Sequence, residues 1–272
     1  MAAFLALMLV ALPGTTPVQA AERAKVEAFL LITGFDVALD SISQSAANAP
    51  AMLGMKDKDF SNEWNLLAGR VFNQKVMRTL ATDILEATLS DEALNHAAAF
   101  YASDLGQRLV AVENASQLMQ DDEAKRAEGQ QIVADMVATG APRLELIKRM
   151  NRAVGGADFS VQALQEIQVR FLLAASAAGV IALKVDAEEL RAMMQAQEGD
   201  LRLSLQKSAL VGAAYTYRDM SDADIEAYSE ALEQPLMQEV YELLNAVQYE
   251  IMANRFEVLA TKMAELNPSQ DL

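Results

Sequence analysis

"LSDEALNHAAAFYASDLGQRL", residues 89–109, has a weaker echo at "MSDADIEAYSEALEQPLMQEV", residues 220–240. With the chain shifted by 131 residues, Ser90 falls on Ser221, Leu94 on Ile225, Leu105 on Leu236, Gln107 on Gln238 and Asn114 on Asn245. Ser90 and Ser221 are each followed by acidic residues, the pattern of a helix N-cap whose first turn puts negative charge at the positive end of the dipole. Fourteen residues on, Asp104 aligns with Pro235. Ser103 is placed to cap a second helix in the first copy, and proline suits the first helical position in the second. Each copy therefore predicts a helix of about 11 residues, a break and a long helix. A duplicated module whose copies bury each other's apolar stripes explains the echo; chance likeness between two acid-capped helices is the other account.

The rest of the chain agrees with helices. Proline is scarce (6) and glycine modest (12), and alternating strand-like runs are nearly absent. Phe60, Trp64, Leu67, Val71, Met77, Leu80 and Ile84 recur at helical steps with one gap at Gln74, and Leu236, Val240, Leu243, Val247, Ile251 and Val258 draw a similar stripe. Punctuation falls at the 48–59 loop, at Gly140 with Pro142, at Gly155-Gly156, and at the capping box Asp186 to Glu189. This predicts about eight to ten helices. Asp121 with Lys125 and Asp122 with Arg126 are spaced as favourable i,i+4 pairs on a solvated helix. The apolar run "FLLAASAAGVIAL" (171–183) is too short to span a membrane and reads as a buried helix.

Residues 1–20 carry no charge and combine an apolar run, Phe4 to Leu12, with Pro13-Gly14 and the small residues Val18 and Ala20. They read as a secretory signal peptide, although no basic residue follows Met1. The remaining chain of about 252 residues is enough for a substantial core. It divides into a first helical module at 21–139, connecting helices at 140–195 and a second module at 196–272, taken together as one compact unit. The expected fold is all-α, a multi-helix bundle built from two related helical modules.

Lys and Arg number 22 against 38 Asp and Glu, a net charge of −16 that repels phosphate backbones. Nucleic acid is thereby disfavoured as a partner. Cysteine is absent, which removes disulfides, thiol nucleophiles and thiolate metal sites.

The first copy resembles a bacterial secreted family known as domain of unknown function 2059. The likeness rests on the order Ser90-Asp91-Glu92, then Phe100-Tyr101, then a Ser103 to Gln107 step containing Gly106-Gln107, and is strongest over residues 65–120. It implies an all-helical exported bacterial protein and no established activity. The second copy departs from the pattern, with Ala231-Leu232 in place of Phe-Tyr and Met237 in place of Gly106. Phe100 and Tyr101 therefore read either as packing residues at the helix junction or as a binding surface that only the first copy keeps.

No catalytic signature occurs. His96 has Glu92 one turn before it, but a single histidine cannot supply the paired motifs of a di-iron bundle, and a zinc site lacks ligand spacing. No nucleophile elbow, phosphate loop or dinucleotide fingerprint is present. We therefore expect no metal and no cofactor. Arg143, Lys148, Arg149 and Arg152 make one side of the 142–154 helix basic, which suits an ordinary surface helix or one lying on an anionic partner. The 14 methionines fill a core or line an adaptable groove.

These features point to an exported, periplasmic or secreted, non-enzymatic helical protein that binds a protein or cell-envelope partner. The alternative is a periplasmic carrier or chaperone for an apolar ligand held between the two modules, and a carboxylate hydrolase stands third. Mass spectrometry of the exported protein is expected to find Ala21 at the N-terminus; a mature chain that keeps Met1 would refute the leader.

Overall fold

Short polar side chains cut this sequence into helices. The computed structural model describes residues 22–46, 49–54, 62–119 and 121–266. The expected leader and its boundary at Ala20 lie outside that range, as do Phe60 and residues 48 and 55–59 of the expected loop. Among the described residues the structure is helical with no strand, an all-α multi-helix fold. The first helices are α1 (Arg23–Ile32), α2 (Phe35–Ser45), α3 (Ala49–Met52), α4 (Asn62–Val71) and α5 (Gln74–Thr88). They lead to α6 (Asp91–Tyr101), α7 (Asp104–Leu118) and α8 (Asp122–Thr139). The chain continues through α9 (Arg143–Ala153), α10 (Gly156–Ala177), α11 (Ala187–Gln195), α12 (Glu198–Thr216), α13 (Asp222–Leu232) and α14 (Pro235–Leu266).

The caps behave as their chemistry requires. Ser90 accepts from Ala93 N, Ser103 from Gly106 N and Ser221 from Asp224 N, so α6 and α13 are both 11 residues long. The long helix after each of them starts three residues beyond its end. Asp186 and Glu189 form a reciprocal capping box at α11. Gly140, with φ of 63°, closes α8 before Pro142 opens α9.

Several expectations are corrected. The stripe read from Phe60 to Ile84 is divided between α4 and α5, because Asn73 takes an extended conformation and caps a new helix at Val76 N. The 171–183 run is helical only to Ala177. Gly179, with φ of 74°, turns the chain there, and Val180 N bonds back to Ala175 O. Asp121 caps α8 at Ala124 N, and Lys125 reaches back to Ser116 O at 2.9 Å. Extra short helices, α3 among them, raise the count above the eight to ten that punctuation indicates.

One hydrophobic cluster runs from Val26 to Met263. Within it α1 packs on α5 and α6, and α2 on α5 and α7. The same pattern recurs later, where α9 packs on α12 and α13, and α10 on α12 and α14. Residues 140–195, expected as connectors, thus include two helices that carry the packing of α13 and α14. Phe256 of α14 meets Phe72 and Phe171 edge-on at 5.5 and 5.1 Å, and Arg170 of α10 grips both Glu250 and Glu257.

Polar contacts join α6 and α7 to α13 and α14. Ser90 Oγ donates to Glu239 at 3.1 Å, and Arg108 holds Asp224, the residue that closes the Ser221 cap, at 2.9 and 2.7 Å. Ser90 and Ser221, like Arg108 and Glu239, stand 131 residues apart. Asn114 and Asn245, at the same spacing, each face a glycine in the left-handed region. A Cβ at Gly34 would lie 2.5 Å from Asn114 Oδ1, and one at Gly155 2.7 Å from Asn245 Nδ2.

The corner between α6 and α7 depends on Gly106. A Cβ there would stand 2.3 Å from Phe100 O and 2.6 Å from Tyr101 Cα, both backbone atoms that cannot step aside. Gly106→Ala is expected to destabilise the protein by about 1–3 kcal/mol or more. At Gly69, in α4 with open space around it, the same change should stabilise by about 0.5–1 kcal/mol. Denaturant titration of both variants checks the pair; similar midpoints would refute the steric account.

Candidate functional site

The α6–α7 corner aims Tyr101, the last residue of α6, into the interior. Gln107 Nε2 holds the end of α6 by donating to Tyr101 O at 2.6 Å. The buried Tyr101 hydroxyl meets that of Tyr228 on α13 at 3.2 Å and makes a still shorter contact with that of Tyr241 on α14. Tyr228 and Tyr241 are 2.7 Å apart, closing a triangle of hydroxyls. Phe100 stacks on Tyr228 at 5.9 Å, with the rings 8° from parallel.

Glu113 stands beside this triangle, on the same face of α7 as the buried Leu109 and Val110. The Tyr217 hydroxyl donates to Glu113 Oε1 at 2.6 Å. Burial pushes the Glu113 carboxyl up to about 6, against hydrogen bonds from Tyr217 and Tyr228 that favour the charged form. Among the described residues no cation takes part in this balance. Tyr101, Tyr217, Tyr228 and Tyr241 are all pushed well above the ordinary tyrosine range, chiefly by burial and then by neighbouring charge. They keep their protons at neutral pH and serve as neutral donors and acceptors.

Glu113, Tyr217, Tyr228 and Tyr241 form part of the wall of an open cleft of about 670 Å³ bounded by α2, α7, α8, α9, α12, α13 and α14. Ser41, Gln44, Gln117, Asn151 and Asn245 add polar groups to it, while Met150, Ala209 and Ala213 supply the apolar share. Ser116 and Thr216 bond to each other at 2.8 Å, and Asn245 Nδ2 donates to Val154 O at 2.8 Å. Asp122 and Lys125 of α8 also line it; burial lowers the Lys125 ammonium below its usual range, with Asp122 acting in the opposite sense.

The sequence-selected residues divide. Phe100 and Tyr101 pack at the helix junction, and Tyr101 also joins the hydroxyl network. Arg143 stands behind the site, donating to Tyr217 O and Asp222, both at 2.5 Å, and so fixes the end of α12 that carries Tyr217. Arg149 pairs with Glu233, just past the end of α13, through two bonds, Lys148 pairs with Glu145, and Arg152 is exposed. None of these three lines the cleft. His96 is half-buried on α6 and does not line it either. Among the described residues no group of three or more histidine, aspartate or glutamate side chains could hold a metal ion.

Sequence reasoning missed Glu113, Tyr217, Tyr228 and Tyr241. One signal was present. Glu113 comes four residues after Leu109 and three after Val110, which puts a carboxylate on the apolar stripe of its helix.

A family described as "Uncharacterized protein conserved in bacteria (DUF2059)" matches residues 75–136, which takes in α6, α7 and nearly all of α5 and α8. The matched segment contains Tyr101, Glu113 and Lys125; the other three tyrosines of the network lie beyond it. No curated protein and no solved structure matches the chain.

A carboxyl raised in the folded state holds its proton more tightly there than in the unfolded chain. Stability therefore falls as pH rises from about 4.5 to about 6, and the loss is complete above that range. Glu113→Gln, which cannot ionise, is expected to be more stable than the parent at pH 7.5 by about 1–2 kcal/mol. The gain should vanish near pH 4. Thermal denaturation across this range is the measurement, and a variant less stable than the parent at pH 7.5 would contradict the burial argument.

Proposed function

We propose that this protein is an exported, non-enzymatic binding protein of the bacterial envelope, and that its site is the cleft beside Glu113 and the tyrosines. The observation that carries the reading is the convergence of hydroxyls, amides and two carboxylates, Glu113 and Asp122, on an open cavity of ligand size. The polar walls favour a small polar ligand over the apolar one expected for a carrier. A protein or membrane partner docked on the basic side of α9 is less well supported, because Arg143 and Arg149 are engaged by Asp222 and Glu233. Non-enzymatic action fits tyrosines that keep their protons and a lone inner carboxylate already accepting from them. Export rests on the leader-like residues 1–20. Among the described residues no helix is long and apolar enough to cross a membrane. The charge of −16 argues against nucleic acid.

The reading includes a duplication. The two parts are related copies, and the second reaches back to α9 rather than starting at residue 196. Support comes from the reciprocal contacts Ser90 to Glu239 and Arg108 to Asp224, and from Asn114 and Asn245 against their glycines. Reciprocity of this kind is what a two-fold relation between copies produces. The cleft then lies where α7 of one copy faces α12, α13 and α14 of the other.

Ala209 is exposed at the cleft wall, so Ala209→Trp fills the cavity without disturbing the core. Thermal denaturation with dialysable envelope extract should raise the melting temperature of the parent and leave that of Ala209→Trp unmoved. Equal shifts in both, or none in either, would reject the cleft as the site.

A further inference from the structure

We propose that the cleft takes a small organic ammonium ion, a primary amine or an alkylated ammonium group, seated against the Glu113 carboxylate and the surrounding tyrosines. This rests on the cleft being the binding site and names the chemistry of its ligand.

The argument begins with charge. Among the described residues, three ionisable side chains other than tyrosine line the cleft: Glu113 and Asp122 are acidic and Lys125 is basic. Lys125 is tethered by its hydrogen bond to Ser116 O, and its charge interacts with Asp122. Among the described residues Glu113 has tyrosine hydroxyls as its partners. A desolvated carboxylate held by neutral donors is incompletely compensated, and a cation arriving with the ligand supplies what is missing. Tyr217, Tyr228 and Tyr241 add to the attraction, since hydroxyl lone pairs and aromatic π electrons both favour a positive charge. The field of a protein carrying −16 draws cations toward it. An anionic ligand would meet Glu113 and Asp122 directly, and a neutral one would leave the carboxylate uncompensated.

The groups facing Glu113 are Tyr217 of α12, Tyr228 of α13 and Tyr241 of α14; Asp122 and Lys125 of α8 and the uncharged Ser41 and Gln44 of α2 lie elsewhere on the wall. Glu113 loses its charge as pH falls through about 6, so ammonium binding should weaken there.

Isothermal titration with choline, ethanolamine and putrescine tests the proposal, with 3,3-dimethyl-1-butanol, ethylene glycol and 1,4-butanediol as uncharged counterparts. We expect at least one amine to bind saturably at pH 7.5, with its counterpart at least tenfold weaker. Glu113→Gln, with its folding checked by circular dichroism, should weaken that amine at least tenfold, and moving the parent to pH 5 should weaken it about tenfold. Co-sedimentation with phosphatidylethanolamine vesicles, competed by ethanolamine, would identify a lipid headgroup as the source of the ammonium; no co-sedimentation would identify a free amine. Uncharged probes that bind the parent as well as the amines do, but not Ala209→Trp, would overturn the ammonium proposal while leaving the cleft as the site. An unchanged affinity in Glu113→Gln would overturn it too. If no amine binds, the proposal falls, and if the envelope extract also leaves the melting temperature unmoved, the cleft reading falls with it.

Discussion

The close approach of α7 to the end of α6 governs how the interior of this protein is arranged. Gly106 lies over the Phe100 carbonyl and the Tyr101 Cα with no room for a side chain, so the first turn of α7 can start three residues after α6 stops. Ser103 caps that turn and Gln107 closes back on Tyr101 O. With the corner fixed, Tyr101 is directed toward α13 and α14, and the face of α7 bearing Glu113 is directed toward α12. Arg108, on the same helix, reaches Asp224 on α13.

The half-buried, desolvated Glu113 carboxylate is the costly element of this arrangement. Desolvation disfavours its charge, and two tyrosine hydroxyls recover part of that cost. The tyrosines in turn support one another, because each hydroxyl lies within hydrogen-bond reach of the other two. Such a network is demanding in a low-dielectric interior, where an unsatisfied member costs more than it would in water. Arg143 steadies it from behind by holding the end of α12, so a residue outside the cleft helps to set its shape. A fold that needed only a filled core would place an aliphatic side chain at 113, and on the binding reading proposed above the retained carboxylate serves the ligand.

The reciprocal polar contacts bear on how the cleft arose. Ser90 with Glu239 and Arg108 with Asp224 join the caps of α6 and α13 to the long helix of the other part. On the proposed duplication, the two parts have kept these caps and diverged inside. Position 101 is tyrosine in the first copy and its counterpart 232 is leucine, whereas 110 is valine and its counterpart 241 is tyrosine. Divergence of this kind turns a symmetric apolar contact into a one-sided polar site.

The sequence by itself determined the helices and many of their ends. Ser90, Ser103, Ser221, Asp186 and Gly140 act through hydrogen bonds and dihedral preferences that span only a few residues, so their effects are legible locally. The break at Asn73 and the stop at Ala177 were hidden because the apolar period runs across both, and periodicity does not register a single capping side chain. Tyr101 was visible as half of an aromatic pair, but its hydroxyl partners were not. Tyr228 and Tyr241 lie 127 and 140 residues away, and Tyr217 meets Glu113 across 104. The basic side of α9 looked like a surface for an anionic partner until α13 brought Asp222 and Glu233 against it. Only the tertiary structure decided which charges are answered within the chain and which are left open to the cleft, because ion pairing and desolvation depend on distances that the order of residues does not encode locally.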